Sequence, residues 1–260
     1  MRLEGLAWAL VHSTWQGALV AGIGGLALRA LHRSSAELRY RVLGALLALQ
    51  VAWFLWTAHA LSSSAAPLAL EAVAVVPGRQ WWPTALVIGW SAGAAVLMLR
   101  LVAGLLQVQR WRSRSIAAPP EWQYRVDELR WLLRIERRVR LRLVQDGVPM
   151  AIGVFDPVVL LPASLLVQLS PAQLEAILIH ELAHVRRLDF VFNLAQALAE
   201  MLLFHHPATW WLSGRIRHER ELCCDELAAR ATDPLLVARA LTELEALRAP
   251  AIVPAARSRT

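Results

Sequence analysis

The sequence predicts a mainly α-helical membrane protein, in which three transmembrane helices precede a cytosolic α+β domain with a small sheet. Hydrophobic residues make up 57% of the 260 residues, and the mean hydropathy is +0.44. Both values exceed what a soluble core requires. The longest apolar stretches lie before residue 107, and the chain after them combines helical periodicity with two-residue alternation.

Three apolar stretches are long enough to cross a hydrocarbon core about 30 Å thick. They cover approximately residues 6–28, 42–61 and 84–106. The first is uncharged and is not followed by a small-residue cleavage site, which favours a membrane span over a signal peptide. We therefore predict a membrane domain at 1–110.

The arginines predict the orientation. They cluster in the first connection and after the third stretch, at Arg29, Arg33, Arg39, Arg41, Arg110, Arg112 and Arg114. Because cytoplasmic loops are enriched in basic residues, both segments should be cytoplasmic, with the N-terminus and the 62–83 loop outside. The remaining chain would then form a cytosolic domain at 111–247 beneath the bacterial inner membrane, with a disordered tail at 248–260.

The cysteines and the charge pattern narrow the class of protein further. Cys223 and Cys224 are adjacent, which rules out a disulfide framework and suits a reducing compartment. Although the net charge is +7, no basic stretch is interleaved with aromatic residues. We therefore expect the bilayer as a partner, and no direct contact with nucleic acid.

Within the cytosolic part, residues 121–135 show the spacing of an amphipathic helix. Residues 138–143 alternate with period two, and 158–161 form a second strand candidate. The edge of such a sheet could bind an extended peptide substrate, or the strands could only cover the neighbouring helix.

Residues 190–212 predict a helix at the protein or membrane surface, broken near Pro207, although a re-entrant insertion remains open. A last helix should reach about residue 247.

The sequence His180-Glu181-Leu182-Ala183-His184 is the clearest chemical signal. It lies in a predicted helix at 171–187, with Ser170 as the N-cap and Pro171 at the first helical position. Histidines four residues apart share one helical face and can bind one zinc ion. Glu181 is then the base that acts on the metal-bound water.

A zinc protease needs a third protein ligand. The downstream candidates are Glu200, His205, His206, His218, Glu219 and Glu221. We favour Glu221 because Asp225, one turn later, could orient a zinc-bound histidine; Glu200 is the main rival. His218 could contact the substrate or the transition state, or be a solvated surface residue, and the cysteines are expected to pack rather than to bind metal.

Several motifs together resemble those of the BlaR/MecR-type membrane zinc metallopeptidases. They are Trp15-Gln16, Arg39-Tyr40, Val148-Pro149 with Gly153 and the Pro157–Pro162 segment, the HExxH helix with Arg186–Asp189, and Arg217–Asp225. The resemblance extends from the first span to about residue 229. It implies a polytopic inner-membrane protease with a gluzincin-like cytosolic domain. It also implies one zinc ion held by His180, His184 and Glu221, with Glu181 catalytic.

Members of this family that sense β-lactams carry a further span and an extracellular penicillin-binding domain after the protease, and their signal leads to cleavage of a cytosolic repressor. After Asp225 this sequence has no apolar run of 18 residues, so we expect a member without that sensor. The leading hypothesis is cleavage of a cytosolic protein, such as a helix-turn-helix repressor, in transmembrane signal transduction. The alternatives are an HtpX-like quality-control protease and a non-cleaving zinc-binding receptor or scaffold, against which the retained Glu181 argues.

Overall fold

The computed structural model describes residues 3–63, 81–145 and 147–248. Most of the predicted outer loop at 62–83 and of the predicted tail at 248–260 lies outside these ranges. In chain order the described elements are α1 (Leu3–Ala30), α2 (Ala36–Ser63), α3 (Trp81–Arg114), β1 (Ile116–Ala117), α4 (Pro120–Leu132), β2 (Arg140–Val144), β3 (Met150–Ile152), β4 (Val158–Pro162), α5 (Leu165–Gln168), α6 (Pro171–Arg187), α7 (Asp189–Leu202), α8 (Pro207–Ala231) and α9 (Pro234–Arg248).

These elements form two compact units. As far as the ranges are described, one unit draws on residues 1–107 and 192–223, and the other on 108–191 and 224–260. All three predicted apolar stretches are helical. Among the described residues, α2 and α3 are long and apolar enough to cross a membrane, by length and composition, whereas α1 does not reach that hydropathy.

In the first unit, α1 turns most of its large apolar side chains outward, and its buried positions are mainly small or polar. Its exposed large apolar residues are Leu3, Trp8, Val11, Trp15, Leu19, Ile23 and Leu26. Ser13 and Gln16 are buried, and the Gln16 amide donates to the Thr57 hydroxyl of α2 at 3.0 Å. An apolar exterior around a small and polar interior is typical of helices that pack together in lipid.

The first unit also contains most of α7 and the N-terminal part of α8. Leu212 and Ile216 of α8 are buried in one cluster with Leu43 and Leu47 of α2. The helix α8 begins at Pro207, as predicted, because proline fixes a helical φ and lacks an N–H that the first turn would leave unpaired. The apolar sequence 190–212 is therefore two helices joined by a short turn.

A buried ion pair fixes α8 against the start of α2. Arg39 Nε donates to Glu219 Oε2 at 2.8 Å, and the two side chains are 16% and 3% exposed. The Arg39 guanidinium also donates to the Ser34 carbonyl. Arg39, which holds Glu219, lies 180 positions earlier in the chain. Glu219 itself is two residues before the candidate ligand Glu221.

Replacing Arg39 by leucine should lower the free energy of unfolding by about 3 kcal/mol, because the Glu219 carboxylate stays buried without its main partner. The measurement is the thermal unfolding midpoint of the detergent-solubilised protein. Arg41→Leu is the matched control, since Arg41 is 73% exposed and pairs with Glu37 at the surface; its cost should be about 0.5 kcal/mol or less. Equal losses in the two variants would contradict a structural role for the buried pair.

The second unit is built on a mixed sheet with strand order β1-β2-β4-β3 in the described part of the chain. Strands β2 and β4 are parallel, and the two outer pairs are antiparallel. On one face, Val159 and Leu161 join the core formed by α4, α6 and α9. On the other, Val158 and Leu160 pack with Trp111 and Phe190. Because both faces are covered, β4 is an uninterrupted apolar run.

The helices and strands predicted for residues 111–247 are confirmed in kind. The expected helix at 121–135 is α4, the two strand candidates are β2 and β4, and the last helix is α9. Strands β1 and β3 were not predicted, because two and three residues are too few to show an alternating pattern.

Candidate metal centre

The helix α6 carries both histidines of the HExxH sequence, and the residue at which the helix begins determines the side of the helix on which they lie. Ser170 Oγ accepts from the Gln173 N–H at 3.3 Å, and Gln173 Oε1 accepts from the Ser170 N–H at 2.9 Å. This capping box begins a helix at Pro171–Arg187, the predicted bounds. The face with Leu174, Ile177, Leu178 and Leu182 is buried in the core of the second unit, so His180 and His184 are directed to the other side of the helix.

The two imidazoles face each other with the geometry of metal ligands. His180 Nε2 and His184 Nε2 are 3.3 Å apart, and the ring planes cross at 79°. Two nitrogens bound to one tetrahedral zinc, each about 2.0–2.1 Å from the ion, would lie about 3.3–3.4 Å apart. The spacing of these two nitrogens therefore fits one zinc ion.

Each histidine also has a carboxylate at its other ring nitrogen. His180 Nδ1 lies 3.0 Å from Asp225 Oδ1, and His184 Nδ1 lies 2.8 Å from Asp189 Oδ2. A carboxylate at Nδ1 holds the proton there and leaves the Nε2 lone pair for a metal. The two carboxylates thus lie where they could hold the Nδ1 protons and orient both imidazoles for a metal.

The backbone at the end of α6 places Asp189. Leu188 is the C-cap of α6 and adopts the left-handed conformation, with φ 61° and ψ 31°. This conformation is uncommon for a residue other than glycine. It reverses the chain immediately after Arg187, so that the next side chain, that of Asp189, meets His184 one turn back. The backbone is therefore strained at Leu188, directly before the aspartate that contacts His184.

Two further buried side chains surround this pair of histidines in the second unit. Glu181 is 6% exposed and Cys224 is fully buried. Cys224 Sγ lies 3.4 Å from His184 Nδ1 and 3.5 Å from Asp189 Oδ2. His184, Asp189 and Cys224 thus also form a group that could hold a metal ion.

The other predicted ligands differ in their surroundings. Four of them already have partners in the first unit: Glu200 with Arg217 at 2.6 Å, Glu219 with Arg39 at 2.8 Å, His205 with Ser13 at 2.9 Å, and His206 with the Thr14 carbonyl at 2.7 Å. The Glu221 side chain is 54% exposed, 4.0 Å from Arg220 Nε, and precedes Asp225 by one turn of α8. His218 is exposed on the same helix.

A small depression in the second unit adjoins His184. It is lined by Ala151, Gly153, Val154, His184, Val185, Leu188 and Phe190. Gly153 has φ +88°, and a Cβ there would come within 2.8 Å of the Asp156 carbonyl oxygen, so glycine is required where the chain leaves β3. The depression therefore joins the edge strand β3 to a candidate metal ligand.

Asp189 was not predicted as a partner of His184. The sequence places it in a polar stripe with Asn193, Gln196 and Glu200, which explains it as the start of an amphipathic helix. Asp189 follows His184 by five residues, and this spacing could have indicated a contact. The contact forms, however, only if Leu188 adopts the left-handed conformation. Leucine gives no such indication.

Comparison with known proteins identifies the family. Residues 45–234 match the family model described as BlaR1 peptidase M56. Regulatory protein BlaR1 of Bacillus licheniformis is 25% identical over 151 residues, which cover 56% of this chain and 25% of that protein. The methicillin resistance mecR1 proteins of Staphylococcus aureus and Staphylococcus epidermidis are 27% identical over 77 residues, 30% of this chain and 13% of theirs. This chain thus spans a quarter or less of the length of these relatives. Since the family model covers well over half of the sequence, the chain belongs to the BlaR1 peptidase M56 family.

Proposed function

We propose that this chain is a membrane-anchored, zinc-dependent endopeptidase of the gluzincin type that cleaves a cytosolic protein, such as a helix-turn-helix repressor, in transmembrane signal transduction. The observation that carries the proposal is the pair of imidazoles whose Nε2 atoms are 3.3 Å apart, each backed by a carboxylate. A peptidase family and relatives named for regulation and for methicillin resistance support it.

The proposed zinc ligands are His180, His184 and Glu221. Asp225 contacts His180, and Glu221 lies one turn earlier in the same helix, so both carboxylates share one face of α8. The other acidic candidates are engaged in ion pairs with Arg39 and Arg217. Two histidines and one glutamate leave a fourth coordination position open, as catalysis requires.

When bound, zinc acts as a Lewis acid and lowers the pKa of a coordinated water to about 7. Glu181 follows His180 directly on a buried part of α6, and its carboxylate accepts the proton of the attacking water. The same carboxylate then delivers that proton to the leaving amine. Asp189 and Asp225 hold the imidazoles in place, and the exposed His218 is proposed to contact the substrate or the transition state.

The edge strand β3 is proposed to bind the substrate backbone. In the described sheet β3 pairs only with β4, and its end adjoins the depression beside His184. An extended peptide added along this edge would form main-chain hydrogen bonds and run toward the histidines.

We further propose that α1, α2 and α3 all cross the inner membrane, with the N-terminus outside. The outward apolar face of α1 supports the first crossing, and the arginines after α1 and α3 support the orientation. The proposed functional division is a membrane domain at 1–110 and a cytosolic protease domain at 111–247, of which residues 192–223 pack in one unit with the membrane helices.

The test is to compare membranes and cytosol of cells that express wild type or Glu181→Ala, and to identify the proteins that accumulate uncleaved. Signalling predicts one or a few stabilised cytosolic proteins. Accumulation of many misfolded membrane proteins would instead support the HtpX-like alternative. Identical protein profiles with zinc bound in both would support a non-cleaving receptor and contradict the endopeptidase.

Replacing Asp189 by asparagine should weaken zinc binding by about 10–100-fold, because the His184 imidazole loses the charged acceptor that fixes its tautomer. The measurement is competition for zinc with a chelating dye, using the purified full chain. Asp156→Asn is the matched control, because Asp156 pairs with Arg112 and Arg140 at the surface of the same unit. Unchanged zinc affinity in Asp189→Asn would contradict the orienting role.

A further inference from the structure

The turn between α7 and α8 lies against the middle of the first two helices. His206 Nε2 donates to the Thr14 carbonyl of α1 at 2.7 Å, and the Gln50 amide of α2 donates to the Thr209 hydroxyl at 3.1 Å. A Cβ at Gly17 would lie 2.6 Å from the His206 ring, so the glycine permits this close approach. Thr14 and Gln50 are both far from the ends of their helices.

The same turn is seated against α3. Trp90 Nε1 donates to the Leu202 carbonyl, which α7 leaves open at its end, at 3.0 Å. A Cβ at Gly93 would clash with the Phe204 ring, so the glycine permits the ring to pack there. Three helices of the first unit therefore surround the turn at 203–206.

The depth of the turn follows from two contacts between α2 and α8. Arg39 contacts Glu219 at one level, and Gln50 contacts Thr209 at another. These contacts are 11 residues apart on α2, which corresponds to about 16 Å of helix. Half the thickness of the hydrocarbon core is about 15 Å. If Arg39 lies at the cytosolic surface, the turn reaches the bilayer centre.

The exposed surface of residues 198–212, on both sides of this turn, is apolar and suits lipid. Leu198, Trp210 and Trp211 are the exposed large apolar residues of 198–212 in the described structure, and residues 201–214 contain no acidic or basic residue apart from the two histidines. Glu200 is the one carboxylate in the sequence of residues 198–214, and it pairs with Arg217 at 2.6 Å. Backbone inside lipid must be hydrogen-bonded, and the contacts of Leu202 and Thr14 are of that kind.

We propose that residues 198–212 form a re-entrant hairpin, which enters the bilayer from the cytosolic side and turns near its centre. The proposal rests on α2 and α3 crossing the membrane, which is part of the proposed function, and it does not depend on proteolysis. The 14 residues from Pro207 to Glu221 span about 21 Å, so Glu221 lies outside the hydrocarbon core. The helix α8 thus leads from the bilayer centre to the proposed zinc ligand without interruption.

The test is cysteine labelling of the full chain in native membranes with a membrane-impermeant and a lipid-soluble maleimide. Trp210→Cys and Trp211→Cys report on the hairpin. Leu99→Cys, at a position 69% exposed in α3, reports on the span, and Phe155→Cys, at a position 97% exposed in the second unit, reports on water. Wild type gives the background, because both native cysteines are buried.

We expect the two hairpin cysteines and Leu99→Cys to react with the impermeant reagent at least about tenfold more slowly than Phe155→Cys, because a charged reagent is excluded from hydrocarbon. The lipid-soluble reagent should label all of them. Hairpin cysteines that react as fast as Phe155→Cys, while Leu99→Cys stays protected, would overturn the re-entrant hairpin alone. Fast labelling of Leu99→Cys as well would overturn both the hairpin and the proposed span.

Discussion

Replacing Glu181 by glutamine is expected to reduce the rate of peptide-bond cleavage by about 10²–10⁴-fold while the protein keeps its zinc. Glutamine has nearly the same shape as glutamate but cannot accept the proton of the attacking water. The two histidines and their carboxylate partners are unchanged, so metal binding should persist. The measurement pairs the cleavage rate of the purified full chain with its zinc content.

Glu175→Gln is the matched control for this variant. Glu175 lies on the same helix and its carboxylate pairs with Arg125 at 2.7 Å, where it raises the pKa of that guanidinium together with Glu128. Because Arg125 is charged in either case, this substitution should leave the cleavage rate within about twofold of wild type, as surface pairs contribute little. Equal rates for Glu181→Gln and wild type would remove Glu181 from the chemistry.

Replacing Glu221 by glutamine should weaken zinc binding by about 100-fold or more, because losing the charge of a direct ligand should cost at least as much as losing an outer-shell partner. Cleavage should fall with zinc occupancy and recover in part at high zinc concentration. The measurement is zinc affinity together with cleavage as a function of added zinc.

Two controls separate Glu221 from its neighbours. Glu226→Gln removes an exposed carboxylate of α8 that pairs with Arg230 and should leave zinc affinity unchanged. Glu200→Gln tests the main rival, whose carboxylate is paired with Arg217; it too should retain zinc. A larger loss of zinc in Glu200→Gln than in Glu221→Gln would reverse the assignment of the third ligand.

Local sequence rules predicted the elements that depend on nearby residues. The start of α6 follows from Ser170, Pro171 and Gln173, which lie within four positions of one another. The pairing of His180 and His184 follows from helical spacing alone. Asp225 lies 3.0 Å from His180 Nδ1, and its predicted role of orienting a zinc-bound histidine stays a prediction.

The features that the sequence did not predict depend on contacts between distant parts of the chain. Arg39 and Glu219 are 180 residues apart, so no local pattern indicates that Glu219 is occupied. Asp189 reaches His184 through a left-handed leucine, which residue preferences disfavour. The apolar run at 190–212 predicted a helix broken near Pro207, but its contacts with Thr14, Gln50 and Trp90 appear only once the helices are folded together.

The most direct measurement is zinc-edge X-ray absorption of the full chain loaded with one equivalent of zinc. Ligation by His180, His184 and Glu221 predicts a shell of nitrogen and oxygen at about 2.0–2.2 Å with the outer-shell signature of two imidazoles and no sulfur. A sulfur contribution at about 2.3 Å would place Cys224 on the metal instead, together with His184 and Asp189, and would contradict the proposed catalytic site.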